Sequence, residues 1–312
     1  MVKVDSNDQM NIWVDSIRNA SNLAINDIYE LNETQNVDIN GERDEKILGN
    51  GRYSTIYAAR RRKKLDEVNI HGDKSCQKDS TTFESALKII PKRLFWEHVR
   101  NGSERIDTLV RETTVQATLT AHAKKNQYDP PFLRIRGFFE TRETVILELE
   151  LLEGTDLFQY ILANGTLEES ETVLIMKDIF EFLSIMAKLK IAHRDVKPAN
   201  IFMCNKKRDG VRVKVGDYGM ATFAGSDGLI RGRCGTPGYV APEIFSAGVN
   251  AGYRNKVDLF SAGVTLHVLL CGYEPFYGEN DDELVSSNEK AEIEFLDSDW
   301  AHGKINSNVP AL

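Results

Sequence analysis

Apolar residues recur along this chain at two different periods, and the switch between them divides it. The first 40 residues are polar apart from one stretch. There Ile12, Trp13, Ile17, Ala20, Leu23 and Ala24 recur at helical spacing, which predicts an amphipathic helix over 10–31. From Ile47 the pattern shortens to strands. One strand enters Gly49-Asn50-Gly51, Thr55-Ile56-Tyr57-Ala58-Ala59 leaves it, and Ala86-Leu87-Lys88-Ile89-Ile90 reads as the next. Residues 60–82 between them exceed a hairpin turn. They open with Arg60-Arg61-Arg62-Lys63-Lys64 and then turn polar, so an exposed insertion is expected. A helix is expected over 104–123, with paired strands over 132–139 and 144–151. Beyond Gly154 helical spacing dominates, at 156–163, 168–189 and 256–270. The last of these is apolar nearly all round and should be buried. A strand-rich part followed by a helical part predicts an α+β chain of two lobes, divided near Leu151-Leu152-Glu153-Gly154.

Composition narrows the class. The 312 residues are 41% hydrophobic and 28% charged, as in ordinary globular proteins. The 39 basic against 47 acidic residues give a net charge of −8, which argues against a general nucleic-acid binder. No run of apolar residues is long enough to predict a transmembrane helix. The start, MVKVDSNDQM, has neither the apolar core of a secretory signal nor the Met-Gly of a myristoylation site. Cysteines at 76, 204, 234 and 271 form no C-x-x-C pair, so a reduced, cytoplasmic setting is expected.

The chemistry concentrates in three places. Residues 191–201 read IAHRDVKPANI, Asp217-Tyr218-Gly219 follows, and Ala241-Pro242-Glu243 comes after that. In this order and spacing they resemble the protein kinase family, whose catalytic loop is H-R-D-x-K-x-x-N and whose metal motif is D-F-G, here with Tyr for Phe. The resemblance covers roughly 44–300 and implies a bilobal fold with a small β-rich N-lobe over 44–152 and a larger helical C-lobe from 153 onward. It implies ATP and Mg²⁺ as cofactors. Asp195 would be the base for the substrate hydroxyl, and Lys197 would steady the phosphoryl group. Asn200 and Asp217 would hold the metal. His193 and Tyr218 would pack beneath them. Gly49-Asn50-Gly51-Arg52-Tyr53-Ser54 resembles the glycine-rich phosphate loop, with Ser54 in place of the third glycine. Lys88 would anchor the α- and β-phosphates, held by Glu112 across a long connector at 96–103. Ile56, Ala86, Glu150, Leu152 and Asp156 would complete the nucleotide site. Gln116, one turn after Glu112, is polar where many kinases are aliphatic.

The segment CGTPGYVAPE at 234–243 resembles the end of a kinase activation segment and, with Lys197, implies serine/threonine rather than tyrosine specificity. Thr236 would bond the catalytic loop, and Asp258 with Gly263 would anchor it from a buried helix. Residues 271–280, CGYEPFYGEN, are similar to the calcium/calmodulin-dependent kinase group. Protein substrates with Ser/Thr acceptors are the implied partners. Asp156 suggests a taste for Arg three residues upstream, although Ala199 lacks the acid that basophilic kinases often carry. Arg194 would normally pair with a phosphate in the activation segment. Yet GLIRGRCG at 228–235 holds no acceptor, Gly232 occupies the usual site and only Ser226 lies nearby, so activity without that phosphate is expected. The chain ends soon after Trp300, before the Arg that pairs with Glu243 in this family. An incomplete C-lobe is therefore expected, with a buried unpaired Glu243 costing about 3–5 kcal/mol. Residues 11–20 resemble the last helix of a pleckstrin-homology domain, which would imply phosphoinositide contact through an upstream domain. A helix packed on the small lobe is the alternative. A pseudokinase scaffold is the rival function, against which stands the full set Lys88, Glu112, Asp195, Asn200 and Asp217.

Overall fold

The computed structural model describes residues 29–31, 36–37, 43–44, 47–61, 83–207, 210–246 and 251–295. The chain divides into two compact units, Met1–Ile106 with Arg134–Leu151, and Asp107–Leu133 with Leu152–Leu312.

The first unit is built on one antiparallel sheet. Strands β1 (Tyr29–Leu31), β2 (Asn36–Val37), β3 (Arg43–Asp44), β4 (Ile47–Asn50), β5 (Thr55–Arg61) and β6 (Ser85–Pro91) come first in the chain. A helix, α1 (Lys92–Arg100), follows directly, and β7 (Ile135–Glu140) and β8 (Thr144–Glu150) return to the sheet. The order is β1-β5-β6-β8-β7, with β4 also paired to β5, while β2 and β3 pair with each other. Tyr29, Ala59, Leu87 and Ile146 form its buried core, with Phe139 edge-on to Tyr29 at 5.7 Å.

Two expectations are corrected here. Residues 29–31 are a strand rather than the end of a helix. The Tyr29 ring fills the sheet's core, and its hydroxyl donates to the buried Glu148 at 2.8 Å. Ser85 and Arg61 also donate to Glu148, at 2.8 and 2.7 Å, so this buried carboxylate is paired and satisfied. The rest of the helix expected over 10–31 lies outside the described residues, as do residues 62–82 and Trp300. The connector read at 96–103 is largely helical. Helix α1 starts at Lys92, whose ammonium bonds Thr141 O and Glu140, both at 2.6 Å, and it buries Phe95. Of the basic run, Arg60 makes a two-pronged pair with Glu30, at 2.9 and 2.7 Å, and so closes the end of β5.

The second unit begins with α2 (Thr108–Asn126), which ends where Gln127 turns left-handed at φ 52°. It continues through α3 (Leu157–Asn164), α4 (Glu169–Lys188), β9 (Ile191–Ala192), a 3-10 turn (Pro198–Asn200), the hairpin β10 (Ile201–Lys207) and β11 (Gly210–Val215), and β12 (Thr222–Phe223). Then come α5 (Pro242–Ser246), α6 (Val257–Cys271) and α7 (Asp281–Lys290). Val115 and Leu119 of α2, Ile175, Ile179 and Phe182 of α4 and Val211, Val213 and Val215 of β11 share one core. Helix α6 is buried along most of its length, and its Asp258 reaches the loop after β9. Among the described residues no helix is long and apolar enough to cross a membrane.

Candidate active site

The loop after β9 is held by the protein beneath it. Asp258, 2% exposed, accepts the main-chain N–H of His193 at 2.8 Å and of Arg194 at 2.7 Å. These bonds hold Arg194 at φ 67°, a left-handed conformation that a bulky residue adopts only when its surroundings impose it. Burial pushes the Asp258 carboxyl up, against the two amides that favour its charge. His193 is fully buried between Phe182 and Tyr218, at ring distances of 5.7 and 5.5 Å. Its Nδ1 accepts from Asp195 N at 3.3 Å and its Nε2 faces Gly216 O at 3.1 Å. That pattern requires the tautomer with the proton on Nε2.

Asp195, Lys197, Asn200 and Thr236 are brought together around one carboxylate. Asp195 Oδ1 accepts the Thr236 hydroxyl at 2.6 Å. Its Oδ2 accepts Asn200 Nδ2 at 2.9 Å and Lys197 Nζ at 3.0 Å. Lys197 Nζ also donates to Thr236 Oγ1 at 2.6 Å. A carboxylate offers about four acceptor sites; one on Oδ1 is still open. Lys197 has three donors, of which these contacts engage two. Asn200 Nδ2 also reaches Asp195 O at 2.8 Å, so its amide nitrogen faces Asp195 and Oδ1 is the ligand atom left over.

Asp217 is exposed and left-handed at φ 57°, with Oδ1 accepting Gly219 N at 3.2 Å. Tyr218 is fully buried, and its hydroxyl donates to Val215 O at 2.9 Å, so the tyrosine in place of phenylalanine has a partner for its extra oxygen. Arg111 of α2 donates to Gly219 O at 3.2 Å and ties that helix to the same turn. Asn200 and Asp217 offer hard oxygen donors of the kind Mg²⁺ takes, and Mg²⁺ keeps most of its shell for phosphate and water, so two side chains fit it.

In the first unit, Gly51 N bonds Ser54 O at 2.7 Å to close the turn between β4 and β5, and Ser54 is buried. A Cβ at Gly51 would stand 2.6 Å from Ser54 Oγ, so a side chain there would require the Ser54 hydroxyl to turn away. Gly49 and Asn50 end β4, and Ile56 and Ala86 lie on β5 and β6, with Ile56 opposite Lys88. Lys88 is half-buried at mid-sheet, opposite Leu147 on its other side. Glu150 closes β8, and its carboxylate accepts from Arg134 N, Nε and Nη2 at 2.9, 3.1 and 2.7 Å.

In the second unit, Glu112 is buried on α2 and Leu152 follows the last strand of the sheet. Gln116 is buried as well, and its Oε1 has no hydrogen-bond partner. Asp156 caps α3, accepting Gln159 N at 2.8 Å, so one of its oxygens has a structural duty. Glu243 lies exposed in the first turn of α5. The penalty expected for a buried unpaired carboxylate therefore does not arise: a solvated charge keeps its water.

Sequence reasoning missed the partners of Arg194. Its Nε donates to Met220 O at 2.8 Å, and its Nη1 to Arg231 O at 3.4 Å and to the Tyr253 hydroxyl at 3.3 Å. Tyr253 in turn donates to Gly232 O at 2.7 Å, and its main chain pairs with Ile230. Burial pushes the Cys234 thiol up, which disfavours the reactive thiolate despite nearby Arg194.

The sequence pattern of the protein kinase domain matches residues 43–310. Calcium-dependent protein kinase 3 of Plasmodium yoelii yoelii is 30% identical over 87% of this chain and 44% of its own length. Calcium-dependent protein kinase 5 of Plasmodium falciparum is 30% identical over 90% of this chain and 41% of its own. Myosin light chain kinase A of Dictyostelium discoideum is 34% identical over 55% of this chain and 57% of its own. The chain thus spans about half the length of these curated relatives. With the catalytic loop, the D-Y-G turn and the glycine turn all within the matched span, the chain belongs to the protein kinase family, with its likeness to kinases of the calcium-dependent and myosin light chain type.

Proposed function

We propose that the protein is a serine/threonine kinase that transfers the γ-phosphoryl group of ATP to protein hydroxyls. The observation that carries this is the Asp195 carboxylate, oriented by three donors yet keeping one acceptor site on Oδ1. That site accepts the substrate hydroxyl's proton and aligns its oxygen for in-line attack. The remaining Lys197 donor steadies the phosphoryl oxygens. Lys88 and the amides of the glycine turn hold the other phosphates. Asn200 Oδ1 and Asp217 would hold Mg²⁺, which would neutralise phosphate charge when bound. The second oxygen of Asp156 favours substrates with Arg three residues before the acceptor. A cytoplasmic site of action accompanies this reading, as does phosphoinositide contact through an upstream domain. The test is transfer of labelled phosphate from Mg-ATP to serine, threonine and tyrosine versions of one Arg-bearing peptide. Label on the serine and threonine peptides, with a loss when the Arg becomes Ala, is expected. A chain that binds nucleotide but labels nothing is a pseudokinase, and the proposal fails.

The same reading makes activity independent of an activation-segment phosphate. The Arg194 guanidinium, which would answer to such a phosphate, already has three neutral acceptors, and Tyr253 bridges it to the segment at Gly232. Phosphatase treatment is expected to leave the rate unchanged, and intact mass to show no stoichiometric phosphate at Ser226. Tyr253→Phe is expected to lower the rate, because both bridging bonds go. Full activity that requires phospho-Ser226 would overturn this.

A further inference from the structure

Helix α1 fills what looked like slack between Lys88 and α2, and its contacts run to the tip of the glycine turn. The Tyr53 ring meets buried Phe95 edge-to-face at 5.5 Å and His98 at 5.7 Å. The Tyr53 hydroxyl donates to Glu104 at 3.2 Å, and Arg52 Nη1 donates to Ser103 O at 3.0 Å. These receiving groups are themselves fixed. Ser103 N and Oγ bond Asn101 Oδ1 at 3.0 and 2.6 Å, Ser103 Oγ lies 2.8 Å from His98 Nδ1, and Glu104 N bonds His98 O at 3.0 Å. At its other end α1 is fastened to the β7–β8 hairpin, through Lys92 N to Glu143 O at 2.8 Å and the Lys92 ammonium to Thr141 O and Glu140. The tip is therefore held from a rigid base by an aromatic contact, one side-chain bond and one main-chain acceptor.

We propose that α1 and the loop after it are a clamp that holds the glycine turn in its phosphate-receiving shape before nucleotide arrives, with Tyr53 and Phe95 as positioning residues. This rests on the reading of residues 49–54 as the phosphate loop. A turn rich in glycine loses much backbone freedom when a ligand orders it, and that loss weakens binding. Fixing its tip beforehand lowers that cost and tightens nucleotide binding without any contact to the nucleotide. The effect falls on affinity for ATP and leaves the phosphoryl-transfer step, which depends on Asp195, in place.

The experiment uses the full chain as wild type, Tyr53→Ala, Phe95→Ala, their double variant and Tyr53→Phe. Amide hydrogen exchange over 49–54 is measured without nucleotide, the Kd of a fluorescent ATP analogue is titrated, and kcat is measured at saturating ATP. Each alanine variant is expected to exchange faster at the turn and to bind nucleotide roughly three- to tenfold more weakly, the scale of an aromatic pair, with kcat retained in Phe95→Ala, which lies outside the phosphate loop. The double variant should fall short of the sum of the singles, since both break the Tyr53–Phe95 contact, although Tyr53→Ala also loses the His98 contact and the Glu104 bond. Tyr53→Phe keeps the ring contacts and loses only the Glu104 bond, so it should weaken binding less than Tyr53→Ala. Unchanged exchange and Kd in Tyr53→Ala, which sits on the turn and outside the sheet core, would overturn the clamp, as would effects of the two alanines that simply add. Should the wild type bind no nucleotide, the kinase reading fails, while the exchange data still decide whether α1 holds the turn.

Discussion

Asp195→Asn is expected to lower kcat by about 10²–10⁴, the range for loss of a positioned general base, while leaving the fold intact. The amide can place its oxygen where Oδ2 now accepts Asn200 and Lys197. Its NH₂ then replaces Oδ1 beside Thr236, whose hydroxyl can turn to accept rather than donate. The surrounding network is therefore kept with one reversed bond, a change of at most about 1 kcal/mol. The open acceptor site on Oδ1 is lost, and an N–H now faces the substrate hydroxyl. Thermal melting and nucleotide affinity near wild type, with phosphate transfer nearly abolished, is the expected pattern. Transfer within tenfold of wild type would show that Asp195 is not the base.

Asp258→Ala is expected to be the most destabilising single change near the site. It strips the acceptor from two main-chain amides, those of His193 and Arg194, in a region without solvent. Each orphaned buried donor costs about 1–3 kcal/mol, so a loss of about 2–6 kcal/mol follows. Relief of the buried charge, visible in the carboxyl's upward shift, offsets part of this. Asp258→Asn should fall between, because one carbonyl oxygen can serve one amide while its NH₂ opposes the other. The two amides also hold Arg194 left-handed, so freeing them lets the loop carrying Asp195 relax, and kcat should fall along with stability. Denaturant unfolding and transfer assays on the three proteins check both. An alanine variant as stable and active as wild type would mean that another group anchors this loop.

The clustered chemistry was legible because it is local. His193 through Asn200 and Asp217 through Gly219 lie in short runs, and their spacing reflects one loop, one 3-10 turn and one hairpin. Helices α3, α4 and α6 were legible within a residue, α4 from its apolar period and α6 from being apolar nearly all round, whereas α2 begins at Thr108 and ends at Asn126 rather than spanning 104–123. What escaped depended on partners distant in sequence. Nothing near Tyr253 announces that its hydroxyl will reach Arg194, because that contact exists only once β9, the activation segment and the start of α6 have packed. Helix α1 was hidden for a related reason: its nine residues carry one buried side chain, Phe95, which meets Tyr53 of the glycine turn.

By itself, then, the order of residues determined which groups carry the chemistry and which stretches are strand or helix, because both are encoded at short range by side-chain type and periodicity. Tertiary structure alone decided how those groups are held. It turned residues 29–31 into an edge strand through Tyr29 and Glu148, exposed Glu243, engaged Glu150 with Arg134 and gave Arg194 neutral acceptors. Each of these follows from burial and hydrogen-bond satisfaction between segments far apart in the chain, which no local pattern specifies.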